Sequence, residues 1–171
     1  TIRRSLIGET LRDLTVGELA IFKDILGKAL SEGAFGFSTG LGYVHGRQTP
    51  YVELQALARV VKEYNGVYAT HLRNEEDGLL SSVEETLRLG KDFNLRILIN
   101  HLRPIKSFED NWEDALNLIE KSGQDINIDV YPYDYSIVPI YILLPLWAQN
   151  GGLELMMNHL NMLLDGKGIL M

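Results

Sequence analysis

The sequence has 171 residues, 46% of them hydrophobic and 23% charged, a globular composition sufficient for one sizeable core. Its net charge of -7 argues against nucleic acid as the main partner, because phosphate binding needs a positive surface. No run reaches the roughly 18–20 apolar residues of a membrane helix, and the absence of cysteine excludes disulfides and thiolate metal ligands.

The N-terminal residues carry no signal-peptide pattern, which makes the cytoplasm the default expectation, and no initiator Met, which suggests a fragment, a processed chain or a trimmed one. A helix is predicted from Val16 to Glu32, with Thr15 and Glu18 at capping-box spacing, Leu19, Phe22, Leu26 and Ala29 on one face, and Gly33 as the stop. Ala34–Ser38 reads as a strand and Thr39–Gln48 as a loop. Thr49-Pro50 is predicted to cap a second helix, with Leu54, Leu57, Val61 and Tyr64 as its buried stripe and Asn65-Gly66 as its end. Val67–His71 is a strand, and Gly78–Leu89 a helix expected to stop at Gly90. Leu95–His101 is a strand. A helix after Ser107 places Trp112, Ala115, Leu116 and Ile119 together and ends at Gly123. Ile126–Tyr131 is a strand, Ile137–Ala148 an apolar stretch too short for a membrane and broken by two prolines, and Leu153–Leu164 the last helix.

This alternation predicts an α/β fold with parallel strands and helices outside. Ser38, His71, His101 and Tyr131 end predicted strands at separations of 33, 30 and 30 residues. Such a constant unit is that of a (β/α)8 TIM-type barrel, and four units are about half of one. Neighbouring strands lie roughly 4.8 Å apart, so His71 and His101 can converge on one ion. Two histidines alone are an incomplete site, since catalytic zinc usually takes three protein ligands. His45, in a loop, and His159, on the last helix, fall outside this pattern. A strand-end histidine can equally be an ordinary hydrogen-bonded polar residue.

Several stretches resemble, in order, the motifs of the D-aminoacylase (N-acyl-D-amino-acid deacylase) family. Gly33–Tyr43 resembles Gly-Ala-x-Gly-x-Ser-Thr-Gly-Leu, and Glu53-Leu54 the start of the next helix. Tyr68–Glu75 resembles Tyr-x-Thr-His-x-Arg-x-Glu, and Asn100–Arg103 is similar to Ser-His-x-Lys. Asp129–Tyr133 resembles Asp-x-Tyr-Pro-Tyr, and Leu144–Trp147 with Gly151-Gly152 the Leu-Pro-x-Trp and Gly-Gly pair. The set covers about Ile7 to Gly152.

The resemblance implies one central fragment of a metal-dependent amidohydrolase barrel, with the N- and C-terminal parts of the parent absent. It implies His71 and His101 as metal ligands, zinc as the ion, and hydrolysis of the linear amide of N-acyl-D-amino acids. Arg103 and Tyr131 become candidates for holding the substrate carboxylate. Arg103 stands where the family typically has Lys, which keeps the charge and alters the geometry. Arg73 and Glu75 are expected to pair with each other or orient a loop, and Asp129 to serve structure. Ser38 and Thr39 match neither a phosphate loop nor a nucleophile elbow. The family's His-x-His pair and upstream Cys or carboxylate ligand are absent, and its proton-shuttling Asp is expected beyond Met171. The chain alone is therefore expected to be inactive, and its open sheet edges to favour self-association. The alternatives are a barrel acting on cyclic amides, as in dihydroorotase-like or hydantoinase-like enzymes, and a non-catalytic barrel piece.

Overall fold

The computed structural model describes residues 2–135, 137–138, 144–149 and 152–164. The elements in order are α1 (Ile2–Ile7), α2 (Val16–Ser31), β1 (Gly36–Gly40), α3 (Val44–Arg47), α4 (Tyr51–Glu63), β2 (Val67–His71), α5 (Leu79–Phe93), β3 (Arg96–Ile99), α6 (Glu109–Ser122), β4 (Ile126–Ile128), α7 (Leu146–Gln149) and α8 (Gly152–Leu164). Part of the apolar stretch Ile137–Ala148, Gly151 and the segment Asp165–Met171 lie outside the described residues.

The four strands form one parallel sheet in the order β1-β2-β3-β4. Register aligns Phe37, Tyr68, Ile97 and Ile126 on one face. That face packs on the helices, and Phe37 meets Phe22 of α2 edge to face at 5.8 Å. The core joins Phe22, Leu26, Leu54, Leu57, Val61, Val83, Ile97 and Ile99. Three hydroxyls within it pair: the Thr39 hydroxyl meets the Tyr68 hydroxyl at 2.8 Å and the Thr70 hydroxyl at 3.0 Å. The opposite face presents Ser38, Ala69, Leu98 and Asn127 in register and is partly exposed.

Helix starts follow the sequence unevenly. At α2 the capping box is complete: the Glu18 amide donates to Thr15 Oγ1 at 3.3 Å, and the Thr15 amide donates to Glu18 Oε2 at 2.8 Å. Thr49 does not cap α4. Pro50 occupies the cap position without a side-chain bond, and Thr49 is buried, with its carbonyl accepting from Arg73 at 3.0 Å.

Gly90 does not stop α5 either. It lies inside the helix, where an added Cβ would come within 2.5 Å of Ile97 Cδ1, so glycine lets the helix approach β3. The stop is Asn94, in the left-handed region at φ 48. Asn65 (φ 53) turns the chain after α4, and Gly123 (φ 63) caps α6. All three turns lead directly into the next strand. The short helices α1, α3 and α7 escape the sequence pattern because so few residues cannot show a period.

β2 matches its predicted bounds, β1 is displaced by two residues, and β3 and β4 are shorter than predicted. Ser38 lies inside β1, whose last residue, Gly40, is the register partner of His71. Tyr131 lies three residues beyond β4, and His101 two beyond β3. Of the four residues predicted to end strands, His71 alone does so. The strands nevertheless begin at Gly36, Val67, Arg96 and Ile126, which keeps the unit near 30 residues.

Candidate metal centre

His71 closes β2 on the open face of the sheet, continuing the side of Val67 and Ala69. Its ring is fixed by the preceding βα loop. Tyr43 stacks on it at 4.7 Å with an interplanar angle of 18°. Gly42 passes so close that an added Cβ would sit 2.4 Å from His71 Nε2 and 2.9 Å from the Leu72 carbonyl oxygen. The His71 carbonyl accepts from the Leu41 amide at 3.1 Å.

His101 reaches the same place by a turn. Its backbone is left-handed, at φ 42, which is uncommon for a non-glycine residue. Asp129 holds that turn. Its side chain accepts from the His101 amide, its carbonyl accepts from the Leu102 amide at 2.9 Å, and its own amide donates to the Ile99 carbonyl at 3.1 Å. Asp129 thus joins the end of β4 to the loop after β3.

The two imidazoles meet with His71 Nδ1 2.8 Å from His101 Nε2 and ring centroids 4.6 Å apart. Glu75 stands beside them. Its Oε1 is 3.1 Å from His101 Nδ1 and 3.9 Å from His71 Nδ1. Oε1 is buried, and the His101 nitrogen nearest to it is Nδ1, not the Nε2 that meets His71. Burial, reinforced by His101 and Arg103, pushes the His71 pKa down to about 4, so the ring is neutral near pH 7. Burial raises the Glu75 carboxyl above its usual range, against the pull of His101 and Arg103.

The donor set suits a metal ion: two imidazoles and one carboxylate, with donor atoms within 4.8 Å of one another, one of them a buried oxygen lacking a hydrogen-bond donor.

Arg73 and Glu75 do not pair. Arg73 points away from the histidines and binds Glu85 of α5 at 2.9 and 3.1 Å, the Thr49 carbonyl at 3.0 Å and the Arg47 carbonyl. It ties α5 to the loop before α4. Arg103 lies with its guanidinium carbon 5.4 Å from the Tyr131 ring centre, so these two residues are brought together. His45 lies in α3, its Nε2 3.2 Å from Glu9, and His159 Nδ1 approaches the Ala148 carbonyl at 3.3 Å; both are apart from the pair. Sequence reasoning missed Tyr43 as a stacking partner. It also missed that Glu75, four residues after His71, reaches both histidines. The His-x-x-x-Glu spacing and the Gly40–Tyr43 loop were the available signals.

Comparison with known proteins points the same way. No family model matches the chain. It is 31% identical over 137 residues to a D-aminoacylase of Alcaligenes xylosoxydans xylosoxydans, covering 78% of this chain and 28% of that protein. A crystal structure of D-aminoacylase, described as defining a novel subset of amidohydrolases, superposes with a TM-score of 0.73 at 30% identity, over 78% of this chain and 29% of that one. An N-acyl-D-glutamate deacylase from Bordetella bronchiseptica, complexed with zinc and a phosphonate inhibitor, matches with a TM-score of 0.73 at 32% identity over 77% of this chain and 29% of that one. The chain thus spans little more than a quarter of the length of these relatives, and its four βα units correspond to part of their amidohydrolase barrel. In sequence and in fold alike, within that span, this chain is similar to the D-aminoacylases and N-acyl-D-amino-acid deacylases.

Proposed function

We propose that this chain supplies the paired-histidine part of the metal centre of a zinc-dependent hydrolase that cleaves the linear amide of N-acyl-D-amino acids, giving a carboxylate and a D-amino acid. The observation that supports this most directly is the 2.8 Å approach of His71 Nδ1 to His101 Nε2 at the C-terminal ends of adjoining parallel strands, where barrel enzymes place their chemistry. The relative from Bordetella bronchiseptica, matched at 32% identity, is a zinc complex, which favours zinc.

His71 and His101 hold the ion. Zinc, when bound, lowers the pKa of its water toward 7 and polarises a carbonyl. His71, neutral near pH 7, presents a lone pair without first losing a proton. Arg103, lying over Tyr131, offers a guanidinium and a phenol to the substrate's α-carboxylate. Asp129 and Arg73 serve by fixing the loops that carry these groups. The proton-shuttling Asp of the reaction is assigned to no residue of this chain. The chain alone therefore binds the ion without turning over substrate.

The test uses the zinc-loaded protein at the full length of its relatives, assayed for amine release from N-acetyl-D-amino acids, their L-enantiomers and a cyclic amide such as a hydantoin. Release from the D-substrates supports the proposal; hydrolysis of the cyclic amide alone would replace it. We further expect the isolated chain to self-associate, because β1 and β4 each have one edge without a strand partner among the described residues. Static light scattering giving a monodisperse monomer would refute that expectation. Among the described residues no helix is long and apolar enough to cross a membrane.

A further inference from the structure

We propose that Arg3 is a positioning residue of the metal centre: through α3 it sets the place of Tyr43 over His71. The inference rests on the metal-centre reading above. Arg3 is 8% exposed, and its guanidinium joins three separate segments. Nε donates to Glu53 Oε1 of α4 at 3.0 Å, Nη1 to the His45 carbonyl of α3 at 3.2 Å, and Nη2 to the Arg12 carbonyl before α2 at 2.7 Å.

α3 is a single turn of four residues, too short to hold its own place. Two arginines hold it instead. Arg3 takes the His45 carbonyl, and Arg73 takes the Arg47 and Thr49 carbonyls. Each arginine is anchored to a glutamate of a longer helix, Arg3 to Glu53 of α4 and Arg73 to Glu85 of α5.

Tyr43 follows α3 because it caps that turn. Its carbonyl accepts from the Gly46 and Arg47 amides at 2.9 and 2.8 Å. Packing around it leaves no slack. A Cβ on Gly46 would lie 2.1 Å from the Gly40 carbonyl oxygen, and one on Gly40 would lie 2.5 Å from Tyr43 Cδ2. A displacement of α3 is therefore passed to the Tyr43 ring, which stacks on His71 at 4.7 Å.

The competing role for Arg3 is a buried ion pair with Glu53 and nothing more. That role needs one positive charge, which lysine also supplies. Holding two backbone carbonyls at the same time needs the planar, five-donor fork of arginine. Arg3→Lys separates the two roles.

The experiment records the histidine ring signals of the metal-free 171-residue chain by carbon–proton NMR. Loss of signals in His71→Gln identifies those of His71. Tyr43→Leu removes the ring current above His71 and so marks the unstacked position. Arg3→Lys is expected to move the His71 signals toward that position while the methyl signals of Val83 and Ile99, both fully buried, stay in place. It is also expected to weaken zinc binding about tenfold, as loss of an orienting partner does. His71 signals that keep the parent's positions in Arg3→Lys would overturn the proposal. Movement of Val83 and Ile99 as well would overturn it too, since Arg3 would then support the whole core. Failure of the unmodified chain to bind zinc would instead overturn the histidine pair, and with it the place of Arg3 in a metal centre.

Discussion

Gly42→Ala tests how tightly the loop after β1 controls the metal centre. In place, the new methyl would lie 2.4 Å from His71 Nε2 and 2.7 Å from Cδ2, whereas ordinary van der Waals contact begins at 3.4 Å. The ring edge must therefore retreat by about 1 Å, or the Gly40–Tyr43 loop must lift. Ring rotation is opposed by Tyr43, stacked at 4.7 Å, and loop retreat by the Leu41 amide bond to the His71 carbonyl. The 2.9 Å distance to the Leu72 carbonyl oxygen blocks accommodation on the other side. Overpacking of this kind costs about 1–3 kcal/mol of stability. Displacing a ligand by a similar amount costs roughly 10–100-fold in metal affinity, by analogy with the loss of an orienting partner. Urea unfolding under chelator and competitive zinc titration measure the two effects separately. If Gly42→Ala keeps zinc affinity within twofold of the parent, the tight loop does not set the position of His71.

Asp129→Ala removes the acceptor for the His101 amide and leaves a left-handed non-glycine residue without its clamp; a loss of about 1–3 kcal/mol by urea unfolding is expected, with weaker zinc binding. Thr15→Ala opens the capping box of α2 and should cost about 1 kcal/mol, read as a lower Tm with zinc affinity unchanged. The metal-free protein should lose stability in acid through His71. Its folded pKa of about 4 lies below its ordinary 6.5, so the unfolded chain binds the extra proton first. The loss begins as pH falls through 6.5, is complete below about 4, and amounts to about 1–2 kcal/mol after solvent screening. Unfolding curves at stepped pH should show this component in the parent and not in His71→Gln. Leu57→Ala, emptying a side chain that is 1% exposed in the core, should cost about 2–5 kcal/mol by the same measurement.

The sheet was legible because its strands repeat about every 30 residues between amphipathic helices, and that period survives errors in individual boundaries. Val67–His71 was read to the residue, since Asn65-Gly66 before it is a strong turn signal. His101 was placed by the repeat, yet it reaches His71 through a left-handed turn rather than as the end of a strand, and φ is not written in the identity of a histidine. The partners of Arg73 were hidden for a related reason. An Arg two residues before a Glu suggests a pair, whereas Arg73 finds Glu85 and two carbonyls made available only by the packing of α5. Gly90 looked like a helix end because glycine usually is; its real function is visible only once Ile97 stands behind it.

The turns that carry Asn65, Asn94 and Gly123 all enter strands from the rim opposite the histidines. Affinity tags, protease sites or fluorophores inserted there would report on the assembled sheet without touching the ligands. The two rims can thus be engineered independently, one for handling the protein and the other for its chemistry.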